Sequence, residues 1–153
     1  MTPIETVQTF LDHLFSGRRT DALALIDEDC RLIASRPQPD DATALYGVHV
    51  GPAGAAELFQ RFDELLEPGQ FDVDARFSDG EHVAMYGALR HRGRATGLEF
   101  ASDWALICRV REGKLMLYHF YEDTAALEAA ICGCRQTSPQ PRGGFPESVP
   151  ERQ

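Results

Sequence analysis

The stretch Trp104-Ala105-Leu106-Ile107-Cys108-Arg109-Val110-Arg111-Glu112-Gly113-Lys114-Leu115-Met116-Leu117-Tyr118-His119-Phe120-Tyr121 reads as two β-strands joined at Glu112-Gly113 by a tight hairpin. A strand with one solvated face alternates apolar and polar residues. Neither arm does so, and both faces therefore need cover. The chain's own helices can cover one face. The other carries Ala84, Tyr86, Ala105, Ile107, Leu117 and Tyr121 by strict alternation. Burying apolar surface is worth roughly 25 cal/mol per Å², so a second copy of the chain is the expected cover. A homodimer packed through the sheet backs follows; a C-terminal tail folded over that face is the alternative.

Upstream, residues 71–77, 82–91 and 99–110 read as strands separated by Ser78-Asp79-Gly80 and by a turn at 93–97, and residues 115–121 form the last. Before them the period changes. Thr2-Pro3 with Glu5 is a helix start, Val7, Phe10, Leu11 and Leu14 recur at helical spacing, and Gly17 stops the run. A short second helix is predicted over 20–27, a first strand over 30–35, and a loop over 36–46 with two prolines and two adjacent aspartates. Gly51-Pro52 opens a third helix that Pro68-Gly69 ends, with Glu57 and Arg61 paired i,i+4 on its outer side. Downstream, Asp123-Thr124 starts a helix running to Ile131. The domain is thus expected over 1–132, and the Pro-, Gly- and Ser-rich residues 133–153 as a flexible tail. Three helices followed by hairpin-linked strands give an α+β fold, its helices on one face of a curved antiparallel sheet.

The 153 residues suffice for one domain, and 43% hydrophobic with 25% charged residues is ordinary for a globular protein. The net charge of -9 argues against nucleic acid and anionic membranes as partners. No apolar run reaches the ~20 residues of a membrane span, and the first residues do not read as a leader. A cytoplasmic location is the expectation. Cys30, at a helix–strand junction, and Cys108, in a strand, read as buried hydrophobes, and Cys132 with Cys134 as spare tail thiols. The histidines lack metal-ligand spacing, and no phosphate-binding glycine loop or nucleophile elbow is present, so neither metal nor cofactor is expected.

Several strings, taken in order, resemble one family. Val110-Arg111-Glu112-Gly113-Lys114-Leu115 with Tyr121-Glu122-Asp123-Thr124-Ala125-Ala126-Leu127 resembles the close of SnoaL-like, ketosteroid-isomerase-related proteins of the nuclear-transport-factor-2-like superfamily. Phe15-Ser16-Gly17 with residues 21–29 resembles its paired helices, and Gly51-Pro52-Ala53-Gly54 its entry to the third helix. The resemblance spans about residues 4–131 and implies a conical apolar pocket between the helices and the concave sheet. Carried over position by position, it places Phe10, Phe59, Met85, Leu89, Trp104, Leu106, Tyr118 and Phe120 on the lining, with Leu14 and Phe62 following by helical spacing. Any one of them can equally be core. The five aromatics carried over (Phe10, Phe59, Trp104, Tyr118 and Phe120) around one cavity suit a flat apolar ligand.

The resemblance also bears on catalysis. Ketosteroid isomerases use an Asp base and an oxyanion hole made by a Tyr and a protonated Asp. By the resemblance those positions appear here as residues 34–36, Phe10 and Leu106, and that mechanism is therefore not expected. Glu122 is the leading acid–base candidate, in phase with Tyr118 and Phe120; the competing reading leaves it in solvent at the strand end. Arg36 is in phase to meet a ligand anion, or is a solvated loop arginine. Asp103 and His119 are out of phase with the lining and should face the dimer side; turned inward by a bulge they would make an acid–base pair. The expected function is binding of a small hydrophobic molecule. The alternatives are a general acid–base enzyme acting on a hydrophobic carbonyl or epoxide, using Glu122 or Asp103–His119 with Tyr118, and an interaction module whose cone is packed shut.

Overall fold

Thr2 starts the first helix by a reciprocal cap: its hydroxyl accepts from the Glu5 N–H at 3.1 Å, and the Glu5 carboxylate accepts from the Thr2 N–H at 2.9 Å. In the computed structural model, which describes residues 1–133, this helix is α1 (Pro3–Phe15). It is followed by α2 (Arg19–Leu23), β1 (Ile26–Ala34), β2 (Val48–Val50), α3 (Gly51–Leu65), β3 (Leu66–Asp79), β4 (His82–Gly93), β5 (Glu99–Arg111), β6 (Lys114–Glu122) and α4 (Thr124–Cys132). Cys134 and the tail expected beyond it lie outside the described residues. None of the described helices is long and apolar enough to cross a membrane.

The six strands form one curved, unclosed sheet in the order β2-β1-β6-β5-β4-β3. Hairpins make β3 through β6 antiparallel, and β1 pairs antiparallel with β2. The contact between β1 and β6 is parallel, with Leu32 opposite Tyr118 and Ala34 opposite Phe120. The sheet is therefore mixed rather than antiparallel throughout. Parallel neighbours need a long crossover, here everything from β2 to β5, and no local turn signal announces one.

Three boundaries move for tertiary reasons. The second helix ends at Leu23 rather than near Asp27, because Ile26 is already paired with Leu115 and the Leu25 carbonyl accepts the Leu115 N–H at 2.8 Å. Cys30 consequently sits inside β1 and not at a junction. The strand β3 begins at Leu66 and runs through Pro68-Gly69, which local chemistry reads as a stop. Its ladder shifts register between Glu67 and Gln70, and β3 is an edge strand, where a missing donor is tolerated.

α1 and α3 lie on the concave face, against which Val83, Met85, Leu106, Cys108 and Leu115 are buried with Phe10, Leu58 and Phe59. Arg61 and Glu57 pair at 2.8 Å on the outer side of α3. The convex face stays open in the single chain: Tyr86 is 49% and Tyr121 44% exposed, and Ala84, Ala105, Ile107 and Leu117 are partly exposed. Asp123 caps α4 by accepting from the Ala126 N–H at 3.1 Å.

Candidate functional site

Where α1 and α3 diverge from the sheet, they leave a cavity of about 290 Å³. Leu14, Phe59, Phe62, Leu89, Tyr118 and Phe120 border it, together with Phe71, Arg19, Asp63, His91 and Glu122. Its sheet side is a run of parallel rings. Phe71 stacks on Trp104 at 4.6 Å and 11°, Trp104 on Phe120 at 5.5 Å and 19°, and Phe120 on Tyr118 at 6.4 Å and 13°. Phe10 and Phe59 close on Tyr118 edge-on, 5.8 and 5.9 Å away.

Of the residues expected on the lining, Phe10, Met85, Trp104 and Leu106 are buried behind the bordering residues rather than among them. Alternation identifies the concave face but not where along a strand the cone has closed. Arg36 is also displaced from that role. Its guanidinium lies 3.7 Å from Asp40 and 5.4 Å over the Tyr46 ring, in the loop after β1.

Glu122, at the end of β6, points into the buried side of the sheet. Its Oε1 is buried with no hydrogen-bond partner. Directly across the ladder on β5 stands Trp104, whose indole N–H is likewise buried and unpartnered. The Ser35 hydroxyl, just beyond β1, is another such group, and Arg19 Nε and His49 Nδ1 are the other two among the described residues. Ser35 has φ of 69° within a turn in which the Arg36 N–H reaches the Ala34 carbonyl at 2.8 Å; its own N–H is held by the Phe120 carbonyl at 2.7 Å. A γ-turn of that sign is rare and strained, a conformation costing on the order of 1–3 kcal/mol.

Burial pushes the Glu122 carboxyl up to about 8, with the neighbouring Asp123 adding to the rise and the nearby Ser35 hydroxyl opposing it. At neutral pH it is an acid carrying its proton. Burial likewise raises the Tyr118 phenol, with Cys108 and Glu122 adding to the rise, so Tyr118 is a neutral group on the same wall.

Asp103 and His119 do not come together. Asp103 is exposed opposite Ala88, whereas His119 lies opposite Ile107 farther along β5. The His119 ring stacks on exposed Tyr121 at 3.9 Å, with Nδ1 3.0 Å from the Tyr121 hydroxyl and Nε2 3.3 Å from the Ser35 carbonyl. Both belong to the convex side, as their phase in the strands implies, and the inward-turned pair is not formed. Asp103 borders an open groove there with Tyr86 and Tyr121, and Trp104 and Glu122 reach its floor from within the sheet.

Three contributors escape a reading of the sequence. Ser35 falls in the segment that the resemblance aligned with a base, but nothing local marks its turn. Phe71 is recognisable as a strand residue but not as a stacking platform. His91 is in phase with Leu89, a signal that was present, yet an isolated histidine without metal spacing carries no functional mark.

Comparison with known proteins gives a family for this geometry. The SnoaL-like domain profile matches residues 7–118. A nuclear-transport-factor-2-like protein from Burkholderia xenovorans is 29% identical, with a TM-score of 0.73 over 84% of this chain and 95% of that one. A candidate SnoaL-like polyketide cyclase from Mesorhizobium loti is 21% identical, with a TM-score of 0.63 over 79% of this chain and 99% of its own. A protein of ketosteroid isomerase-like fold from Catenulispora acidiphila is 16% identical, with a TM-score of 0.69 over 86% and 94%. No curated protein matches the chain.

Proposed function

The chain belongs to the SnoaL-like domain family, and from that premise we propose that it binds a small, flat, hydrophobic molecule bearing a carbonyl oxygen. One observation carries this reading: an apolar cavity ends in a protonated carboxyl whose buried Oε1 has no hydrogen-bond partner, with the Ser35 hydroxyl nearby and the unpartnered Trp104 indole N–H across the ladder. Buried polar groups are nearly always satisfied, and leaving one unpaired costs about 1–3 kcal/mol. A ligand carbonyl reaching Glu122 would accept the carboxyl proton as a hydrogen bond and recover part of that cost. The cavity of about 290 Å³ lies near the lower edge of ligand pockets, which begin at ~300 Å³. That size favours a two-ring compound and speaks against a cone packed shut.

A second reading rests on the same carboxyl. An acid titrating near 8 is matched to proton transfer at neutral pH. Glu122 would protonate a developing enolate or alkoxide oxygen, and the carboxylate so formed would take a proton from carbon or water, with Tyr118 assisting as a neutral donor. By the resemblance, the catalytic positions of ketosteroid isomerases fall at Phe10, residues 34–36 and Leu106, which offer neither that family's oxyanion donors nor its carboxylate base.

Mass spectrometry of ligand co-purified with the native protein, and calorimetric titration with aromatic ketones, test the binding reading. Absence of any bound aromatic carbonyl compound in both would sink it. Turnover on a panel of enones and epoxides, lost in Glu122→Gln and kept in His119→Ala, would establish the second. Turnover surviving both substitutions would clear these residues.

The homodimer belongs to the same proposal. Tyr86 and Tyr121 stand exposed on a convex face flanked by partly exposed aliphatic residues. A second copy in register over that face would remove them from water.

A further inference from the structure

Glu122 marks one polar end of the cavity; His91, on β4, marks another. Its ring is buried, only 4% exposed, and it borders the same cavity as Glu122. The Gly69 N–H donates to His91 Nδ1 at 3.1 Å. An Nδ1 that accepts has no proton, so in the neutral ring the proton sits on Nε2. Burial lowers the imidazole's pKa and so favours the neutral ring, with a hydrogen bond to the Arg90 backbone opposing the shift. Phe62 meets the ring edge-on at 5.8 Å, and Phe100 lies 6.4 Å away on the other strand. The donor to Nδ1 exists because β3 shifts register between Glu67 and Gln70. At Gly69 any Cβ would collide with the Arg90 carbonyl, so only glycine brings this N–H to the ring. Beyond the Gly69 N–H and the Arg90 backbone, the ring has no hydrogen-bond partner among the described residues, although it lines a cavity.

We infer that His91 is a second polar anchor for the ligand, donating its Nε2–H to an acceptor oxygen at the end remote from Glu122. The inference rests on the binding reading above and deepens it by naming the ligand class: flat, apolar in its body, and oxygenated at both ends. The separation of the anchors supports that class. On β5, His91 faces Phe100 and Glu122 faces Trp104. Four residues of strand correspond to about 13 Å along the sheet, and the two strand spacings from β4 to β6 add about 9.5 Å across it, both shortened by the sheet's curvature. Phe71, on the rung of Leu89 and Ser102, lies between the two anchors and borders the cavity with its ring stacked on Trp104, a wall suited to a flat ring system.

Calorimetric titration of the full chain with 2-acetylnaphthalene and with 6-hydroxy-2-acetylnaphthalene tests this. One neutral hydrogen bond contributes about 0.5–1.5 kcal/mol, so the added hydroxyl should tighten wild-type binding by about three- to tenfold. His91→Phe should bind both ketones alike, and His91→Gln, which keeps an N–H donor, should retain part of the preference. Nitrogen NMR of the wild-type ring should show the Nε2–H tautomer, a readout that needs no variant. A proton on Nδ1, or an undiminished preference in His91→Phe, overturns the inference. So does 2-acetylnaphthalene binding with no gain from the hydroxyl, an outcome that leaves the Glu122 reading standing. Binding of neither ketone overturns both.

Discussion

Trp104 and Glu122 stand directly opposite each other on β5 and β6, and each presents a buried polar atom that nothing in the described residues satisfies. In an antiparallel pair such neighbours lie about 4.5–5.5 Å apart at Cβ. Two unpartnered groups in one rung, with a third on Ser35, bring unsatisfied polarity to this end of the cavity, and the buried Arg19 Nε adds one on its helical side.

The pH dependence of stability tests the state of Glu122. Its folded pKa of about 8 lies above the ordinary value of 4.5, so between those pH values the unfolded chain has released a proton that the folded one still holds. Stability is therefore complete below about pH 4.5 as far as this group is concerned, and falls as pH rises towards 8. The size is a few kcal/mol. Thermal melts should show the wild type losing stability from pH 5 to pH 8.5 while Glu122→Gln stays nearly level. Parallel curves would place the carboxyl in water.

Ser35 separates strain from chemistry. Ser35→Gly suits a φ of 69° and should raise stability by about 1 kcal/mol in chemical denaturation. Ser35→Ala keeps the strain but removes the hydroxyl that holds the Glu122 pKa down. Carbon NMR of the Glu122 carboxyl should then titrate at higher pH than in the wild type. An unchanged midpoint in Ser35→Ala would mean that the two side chains do not communicate.

Phe10 occupies the position at which the resemblance would put a catalytic tyrosine, yet it is fully buried between Phe59 and Tyr118. Truncating it to alanine should cost about 3–5 kcal/mol, the range for a large core aromatic. A loss below 1 kcal/mol in urea unfolding would show that the helix–sheet contact is looser than drawn.

For the proposed dimer, sedimentation velocity at micromolar concentration should give twice the monomer mass. The double change Tyr86→Glu with Tyr121→Glu places like charges on the convex face and should yield monomer with the fold intact by circular dichroism. A wild type that sediments as monomer removes this part of the proposal.

The fold was legible wherever its causes are local. The Thr2 cap, the Gly113 hairpin and the period change before Phe71 each act within a few residues, and each marks an element that formed. What escaped was long-range: the parallel contact of β1 with β6, the short strand β2, and the passage of β3 through Pro68-Gly69. The site divides in the same way. Phase along β6 placed Tyr118, Phe120 and Glu122 on the inner wall, and the same rule kept His119 and Asp103 off it. Phase gives direction and not depth, so Trp104 and Leu106 took the right side but lie behind the surface a guest would meet. His91 acquires its meaning from a backbone N–H contributed by another strand, which no spacing of side chains records.

The parallel seam between β1 and β6 also governs when the site comes into being. Ser35 and Glu122 are far apart in sequence and meet only once that seam closes, after the β3–β6 meander has a template to offer. Contacts between distant segments carry the largest loop-closure cost and dominate slow folding steps. The polar end would thus be completed last, and a chain whose seam is still open would carry Phe71, Trp104, Phe120 and Glu122 without the Ser35 hydroxyl that joins them.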